Sequence, residues 1–425
     1  MKTVVVAGAG VAGTAAALTA ARGGARVVLL DGGTGATTLS TGAIDDAPWG
    51  RAAVAVTPVS PAARAVLDAL AGYAVPAAGA RLATTAGILR PARGLDLALL
   101  DLAPLAGRRI GVVQCDRPGW DAAVLARAWA DAGDRGDAFA PLDAAVLRHV
   151  DERLIPATDF AARHDDEGRL AWLAERLREA LAGAGAGFDA LILPPSLGVE
   201  TAKAQALSAL VGVPCGEAAG LPGGPSGLRF ERARDRALAA AGVIRMEARV
   251  AAVVRHGDRW RVALEGDEPA MEAVAVVLAS GGLVGGGLEY SPAEAMPAGV
   301  LPPASRPPFR LAFDVPAATL GAHGRPLDLP GSLFGIPPES LAWPFAPDAA
   351  MERAGVLVDA DGRAAAGLYA AGETVADAPR TWLRALESGA RAGAAAARDA
   401  IALDGVSATA SDRSPSASAT PASRP

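Results

Sequence analysis

The residues best placed to do chemistry stand at the start of the chain, in Gly8-Ala9-Gly10-Val11-Ala12-Gly13. Three glycines at this spacing, after the apolar run Thr3–Ala7 and before an Ala-rich segment, predict a strand, a tight turn and a helix. Gly8 permits the turn, Gly10 removes the side chain that would hold a pyrophosphate off the backbone, and Gly13 lets helix and strand pack closely. The helix expected from Val11 presents free N–H groups and the positive end of its dipole to phosphates. A second apolar run, Ala25–Leu30, ends in Asp31, eighteen positions after Gly13. A carboxylate there accepts hydrogen bonds from adenosine ribose hydroxyls and disfavours the 2′-phosphate of NADP. Taken alone, this constellation predicts dinucleotide binding and leaves NAD and FAD equally open.

The acid–base inventory is sparse. The histidines are His149, His164, His256 and His323. His256 falls in a predicted hairpin turn, and His149 and His164 in or near surface helices. His323, within Gly321-Ala322-His323-Gly324-Arg325, is the candidate acid–base group, because it lies in loop-rich sequence able to cover a cofactor. Arg310, Arg380 and Arg384 are the candidates for recognising a phosphate or carboxylate on a small-molecule substrate. No Ser/His/Asp arrangement or metal-ligand spacing competes. Cys115 and Cys215 are too few for a disulfide framework and are expected to be reduced thiols of a cytoplasmic protein.

These groups need elements to hold them. After Asp31, the run Gly32 to Asp45 is rich in Gly, Ser and Thr and is expected to lie against the ligand, with Ser40, Thr41 and Gly42 as candidate contacts. Helices are predicted over Ser60–Ala71, Asp121–Ala132, Glu167–Leu181 with its Leu170/Leu173/Leu177/Leu181 stripe, and Gly227 to Gly242 with Ser226 as N-cap. Strands are expected near Ile110–Cys115, Phe188–Leu193, Val243–Met246, Ala248–Val254, Trp260–Leu264, Ala273–Ala279, Gly355–Asp359 and Gly367–Glu373, with a last helix over Ser388–Ile401. Strands alternating with helices between about 100 and 215 indicate an α/β insert with its own sheet.

Composition excludes several classes. The net charge of −6 is modest, and no basic run with interleaved aromatics suits nucleic acid. Thr3–Ala21 carries no charge, but its three glycines fit the strand–turn–helix unit better than a signal peptide or span. Ala273–Leu288 is likewise too glycine-rich to span. Membrane contact is therefore expected only through partners, with the chain cytoplasmic or peripheral to the inner membrane.

Three separated motifs, GAGVAG, VVLASGG at 276–282 and LYAAGE at 368–373, resemble the two-dinucleotide-binding-domain flavoproteins. That resemblance implies a Rossmann-like α/β FAD-binding domain (glutathione-reductase/fumarate-reductase-like) with an inserted α/β substrate or cap domain. The expected parts are 1–100, 221–290 and 351–404 for the FAD-binding domain, 101–220 for the insert, 291–350 for a loop-rich cap and 405–425 for a disordered tail. It further implies FAD (alternatively FMN) contacts at Val250, at Ala279-Ser280-Gly281, at Gly372-Glu373, and at a helix amino end near Ser388-Gly389 facing the flavin ring. The loop Thr38–Asp45, Leu191-Ile192-Leu193-Pro194-Pro195-Ser196-Leu197-Gly198, Gly227-Leu228-Arg229, the glycines at 281–287 and Phe313-Asp314-Val315 are similar to the B subunit of anaerobic glycerol-3-phosphate dehydrogenase. That family implies a respiratory complex with a catalytic flavoprotein subunit and an iron–sulfur subunit that delivers electrons to quinone. The sequence departs from it at Thr381–Leu386, where bulky Trp382 and Arg384 stand in place of a glycine-rich run.

Overall fold

The computed structural model describes residues 3–46, 58–133, 136–185, 187–266, 268–282, 284–285, 287–292, 309–313, 317–318, 355–376 and 378–411, giving the backbone path alone for 288–292, 309–313, 317–318 and 403–411. His323 lies outside the described residues, as does nearly all of the expected cap.

β1 (Thr3–Ala7), α1 (Val11–Arg22) and β2 (Arg26–Asp31) follow the glycine spacing. Val4, Val5 and Val6 are completely buried, since a parallel strand covered on both faces takes an unbroken apolar run. α2 (Pro61–Leu70) starts at Ser60, whose hydroxyl accepts from the Ala63 N–H. The insert then supplies β3 (Arg109–Val113), α3 (Ala122–Ala132), β4 (Ala138–Leu142), α4 (Glu167–Gly183), β5 (Ala190–Leu193), α5 (Ala204–Val211) and β6 (Cys215–Glu217). Its four strands are parallel, in the order β6-β5-β3-β4, around a core that includes Trp129, Phe160 and Leu173. α3 and α4 begin where Asp121 and Asp166 accept backbone N–H bonds.

The chain returns through α6 (Pro225–Ala240), β7 (Ile244–Glu247), the hairpin β8 (Val250–His256) and β9 (Arg259–Leu264), β10 (Ala275–Leu278), β11 (Arg363–Ala365), β12 (Leu368–Ala370) and α7 (Trp382–Ser411). The main sheet runs β7-β2-β1-β10-β12-β11, parallel except for the β11–β12 pair. Helices α1, α2, α6 and α7 cover one face. The β8–β9 hairpin covers the other, with Trp260 and Val262 buried against Val5, Leu30 and Leu278. The architecture is α/β, a Rossmann-like domain interrupted by a second α/β unit.

Three local expectations are corrected. The last helix begins at Trp382, because Leu383 and Leu386 seat in the core and Trp382 packs on Tyr73 with ring centroids 5.4 Å apart; it continues to Ser411, beyond the expected boundary at 404. Gly355–Asp359 forms no strand: Val356 makes a single bridge to Val375, and Asp359 Oδ1 turns the chain by accepting the N–H groups of Asp361 and Arg363. Ser226 is not the cap of α6. Gly224 is, with Pro225 in the first turn, and the Ser226 hydroxyl donates instead to buried Asp96 at 2.7 Å.

Candidate functional site

A cavity of about 530 Å³ opens at the carboxyl ends of β1, β2 and β10, a size typical of small-molecule sites. It is the position where parallel sheets of this kind bind ligands. Its walls come from distant segments. Gly8 to Ala12 form the floor, Gly32 to Thr37 and Ala248 to Val250 one end, Ala279 to Gly281 the centre, and Ser40, Thr41, Asp45, Gly372, Glu373 and Arg380 to Trp382 the other end.

The glycines of the turn have separate duties. Gly8 has φ +112°, and a Cβ there would overlap the Ala279 carbonyl, so β1 and β10 can meet only over glycine. A Cβ on Gly13 would overlap the Gly8 carbonyl, which makes Gly13 a packing residue behind the cleft. Gly10 faces the cavity; its nearest neighbour, at 3.2 Å from a Cβ position, is Thr37 Oγ1. That hydroxyl accepts the Val11 N–H at 3.1 Å. One of the helix donors expected to be free is thus held by Thr37, a residue whose role only the folded loop reveals. The Thr37 proton remains available to donate toward a phosphate oxygen.

Of the expected cofactor contacts, Gly8 to Ala12, Ser40, Thr41, Val250, Ala279 to Gly281, Gly372 and Glu373 line the cavity, and so does Arg380. Gly42 does not: with φ +92° it lies against Ser226 and Asp96, a Cβ there falling 2.7 Å from Ser226 Oγ. Ser388 and Gly389 stand inside α7, not at its amino end. The Ser388 hydroxyl accepts the Gly372 N–H at 2.8 Å and donates to the Ala385 carbonyl at 3.1 Å, so it orients the wall without forming it. Gly389 packs so closely on α1 that a Cβ would overlap the Ala12 carbonyl. The helix end at the cavity is Thr381-Trp382, with the Leu383 N–H bound to the Asp45 carbonyl at 3.0 Å. The Asp31 carboxylate meets arginines and is absent from the wall. Arg384 is exposed on α7, and Arg310 belongs to the antiparallel pair 288–292/309–313.

The wall fits a long polar ligand. Ser280 Oγ and Thr381 Oγ1 are buried and make no hydrogen bond among the described residues, although buried hydroxyls ordinarily find partners. At the Thr381 end, burial raises the Glu373 carboxyl above its usual range, opposed by the Arg380 guanidinium and the Gly282 backbone. Asp45 is paired with Arg90 at 2.5 Å. No histidine lines the cavity among the described residues. His164, expected near the surface, is buried in the insert, where burial and then Arg169 push its pKa down to about 4. Burial pushes both thiols up to about 12, which keeps them protonated and inert.

The family described as FAD binding domain matches residues 3–85, the segment that carries the glycine turn, β2 and the hydroxyl loop. No curated protein gives a significant match. Among solved structures, Mycobacterium smegmatis Sdh1 in complex with UQ1 is 15% identical, covering 97% of this chain and 72% of that one, with a TM-score of 0.33. The 3-ketosteroid delta1-dehydrogenase of Sterolibacterium denitrificans is 11% identical, covering 95% and 100%, with a TM-score of 0.36. Thioredoxin reductase of T. acidophilum is 14% identical, covering 94% and 100%, with a TM-score of 0.22.

Residues 3–85 thus carry an FAD-binding domain, and the cleft they help to line sits in a Rossmann-like α/β fold. Its cofactor is FAD.

Proposed function

We propose that this chain is an FAD-dependent oxidoreductase that serves as the B subunit of an anaerobic respiratory glycerol-3-phosphate dehydrogenase. In that role it takes part in the oxidation of glycerol 3-phosphate to dihydroxyacetone phosphate, beside a catalytic flavoprotein subunit, with an iron–sulfur subunit carrying electrons to membrane quinone. The observation that carries the reading is one cavity built from the glycine turn, the hydroxyl loop and the two later motifs, in the order that family has them. No helix among the described residues is long and apolar enough to cross a membrane, which agrees with membrane contact through partners.

FAD, when bound, supplies a two-electron acceptor. The chain's own residues hold its phosphates at the Gly8–Ala12 turn and its polar middle at the Ser40, Thr41 and Ser280 hydroxyls. Of the substrate-side candidates His323, Arg310, Arg380 and Arg384, Arg380 is the one on the described wall; it would hold an anionic substrate, with the Glu373 carboxylate beside it to take up a hydroxyl proton. The second reading is an electron-relay or scaffold subunit that keeps the fold without turnover, favoured by the lack of a histidine on the described wall.

The visible spectrum of the purified protein tests the first level: no flavin bands, before or after incubation with FAD or FMN, would sink it. Anaerobic glycerol 3-phosphate should then bleach the bound flavin, alone or with the partner subunits. Flavin that stays oxidised in both cases leaves the relay reading standing.

A further inference from the structure

Asp31 ends β2 at the place where a carboxylate would meet the adenosine ribose, yet its side chain is committed elsewhere. Strand alternation puts Val27, Leu29 and Asp31 on the helix-covered face, while Val28 and Leu30 face the hairpin. β7 lies parallel to β2 with Arg245 opposite Leu29 and Glu247 opposite Asp31, so Arg245 rises on the same face, one diagonal step from the carboxylate. Its Nη2 and Nε donate to Asp31 Oδ2 at 2.7 and 3.0 Å. Arg234, buried on α6, adds Nη1 at 3.5 Å and also donates to the Ala9 carbonyl at 3.2 Å. The other oxygen, Oδ1, accepts the Gly33 N–H at 3.1 Å.

Both oxygens therefore have partners, and Asp31 touches the cavity only through them. Gly33 lines the adenosine end and has φ +115°, a left-handed conformation that glycine adopts without strain, and its Cβ position faces open space. Its N–H is bound by the Asp31 carboxylate, which Arg245 binds in turn.

We propose that Asp31 and Arg245 form an ionic clamp that acts as a positioning device for the adenosine half of FAD, setting the Gly32-Gly33-Thr34 turn, in place of direct ribose recognition by the carboxylate. This rests on FAD occupying the cavity. Arg245 is one-third exposed, so it can be replaced without opening the core.

The test is titration of flavin-free full-length protein with FAD and with ADP, which carries the adenosine half alone, following flavin fluorescence for the first and competition for the second. Arg245→Met should weaken FAD and ADP by a similar factor, about tenfold, in protein that remains folded; Arg245→Lys should restore part of the loss. Asp31→Asn, which keeps an oxygen for the Gly33 N–H, should retain more affinity than Asp31→Ala. Direct ribose contact predicts the opposite: Arg245→Met harmless or tightening, and Asp31→Asn as damaging as Asp31→Ala. Either of those results overturns the clamp, as does a loss for FAD that ADP does not share. Wild-type protein that binds neither FAD nor ADP would overturn the cofactor placement and the clamp together.

Discussion

Gly10 and Gly13 stand three positions apart and are glycine for different reasons. Gly10 has φ −69° and faces the cavity, so Gly10→Val is expected to leave the fold intact and fill the space meant for a pyrophosphate. Soluble, folded protein that has lost FAD by absorbance is the expected outcome; unchanged FAD content would refute the placement of the phosphates. Gly13→Val drives a branched side chain into the Gly8 backbone, and the expected result is loss of folded protein itself, seen as absent expression or a collapsed melting transition. Sequence spacing assigns both glycines to one motif, but only the packed turn separates the cofactor role from the structural one. Asp31 carries the same lesson: its position predicts a ribose ligand, and in the fold its carboxylate meets arginines of β7 and α6, more than 200 residues away.

At the scale of elements, the dinucleotide domain depends on how closely α1 and α7 approach. Gly389 and Gly393 sit one helical turn apart on α7, and Cβ atoms there would overlap the carbonyls of Ala12 and Ala16. The facing residues Ala12, Ala15, Ala16, Ala392 and Ala396 are buried, so two backbones meet with little side chain between them. Gly393→Leu should therefore cost roughly 3 kcal/mol or more, because overpacking a closed interface moves backbone. Chemical denaturation would register it as a lower midpoint with the slope preserved, and a cost below about 1 kcal/mol would show that the helices can separate freely. The start of α7 was misjudged from sequence for a related reason. Trp382 and Arg384 look like a departure from a glycine-rich run, yet Trp382 against Tyr73 and Leu383 in the core seat the helix's first turn.

At the scale of the molecule, the dinucleotide domain is fastened to the insert by a buried ionic joint. Arg229 on α6 donates to Asp96 and Glu217 at 2.7 Å each and to the Gly198 carbonyl at 2.7 Å. Glu217 also accepts the Ser196 and Leu197 N–H groups. Its carboxyl is raised by burial, against the pull of Arg229. Arg229→Met leaves two buried carboxylates without their cation and is expected to destabilise by about 3–5 kcal/mol. Thermal unfolding would detect this, and a loss under about 1 kcal/mol would mean the joint is wet and weak. The insert also carries a pH-dependent element. Neither His164 ring nitrogen makes a well-formed hydrogen bond, although the backbones of Ser196 and Phe160 approach it. With its folded pKa near 4, below the unfolded value of about 6.5, the unfolded state binds the proton more readily. Stability from this group is whole above about pH 6.5 and is lost as pH falls toward 4, on the order of 2 kcal/mol by pH 5. His164→Phe should flatten the change in unfolding free energy between pH 7 and pH 5, and an unaltered slope would place the dependence elsewhere.

Much of this protein was legible in its sequence because it depends on local rules. Glycine spacing after an apolar run dictates a strand–turn–helix; a unit of this kind places phosphates at the helix start; the helices predicted from Ser60 and Asp121 do begin there, where each side-chain oxygen serves an N–H two or three residues on. The same rules located the insert and the three segments that line one cavity. What only the tertiary structure decided involves partners far apart in the chain: Thr37 against Val11, Arg245 and Arg234 on Asp31, Ser226 and Arg229 on Asp96, and His164 under the strands of the insert. Long-range charge pairs and close helix contacts leave no periodic trace in a sequence, because they depend on which faces meet after folding, and those contacts determine which of the candidate residues line the cavity and which lie behind it.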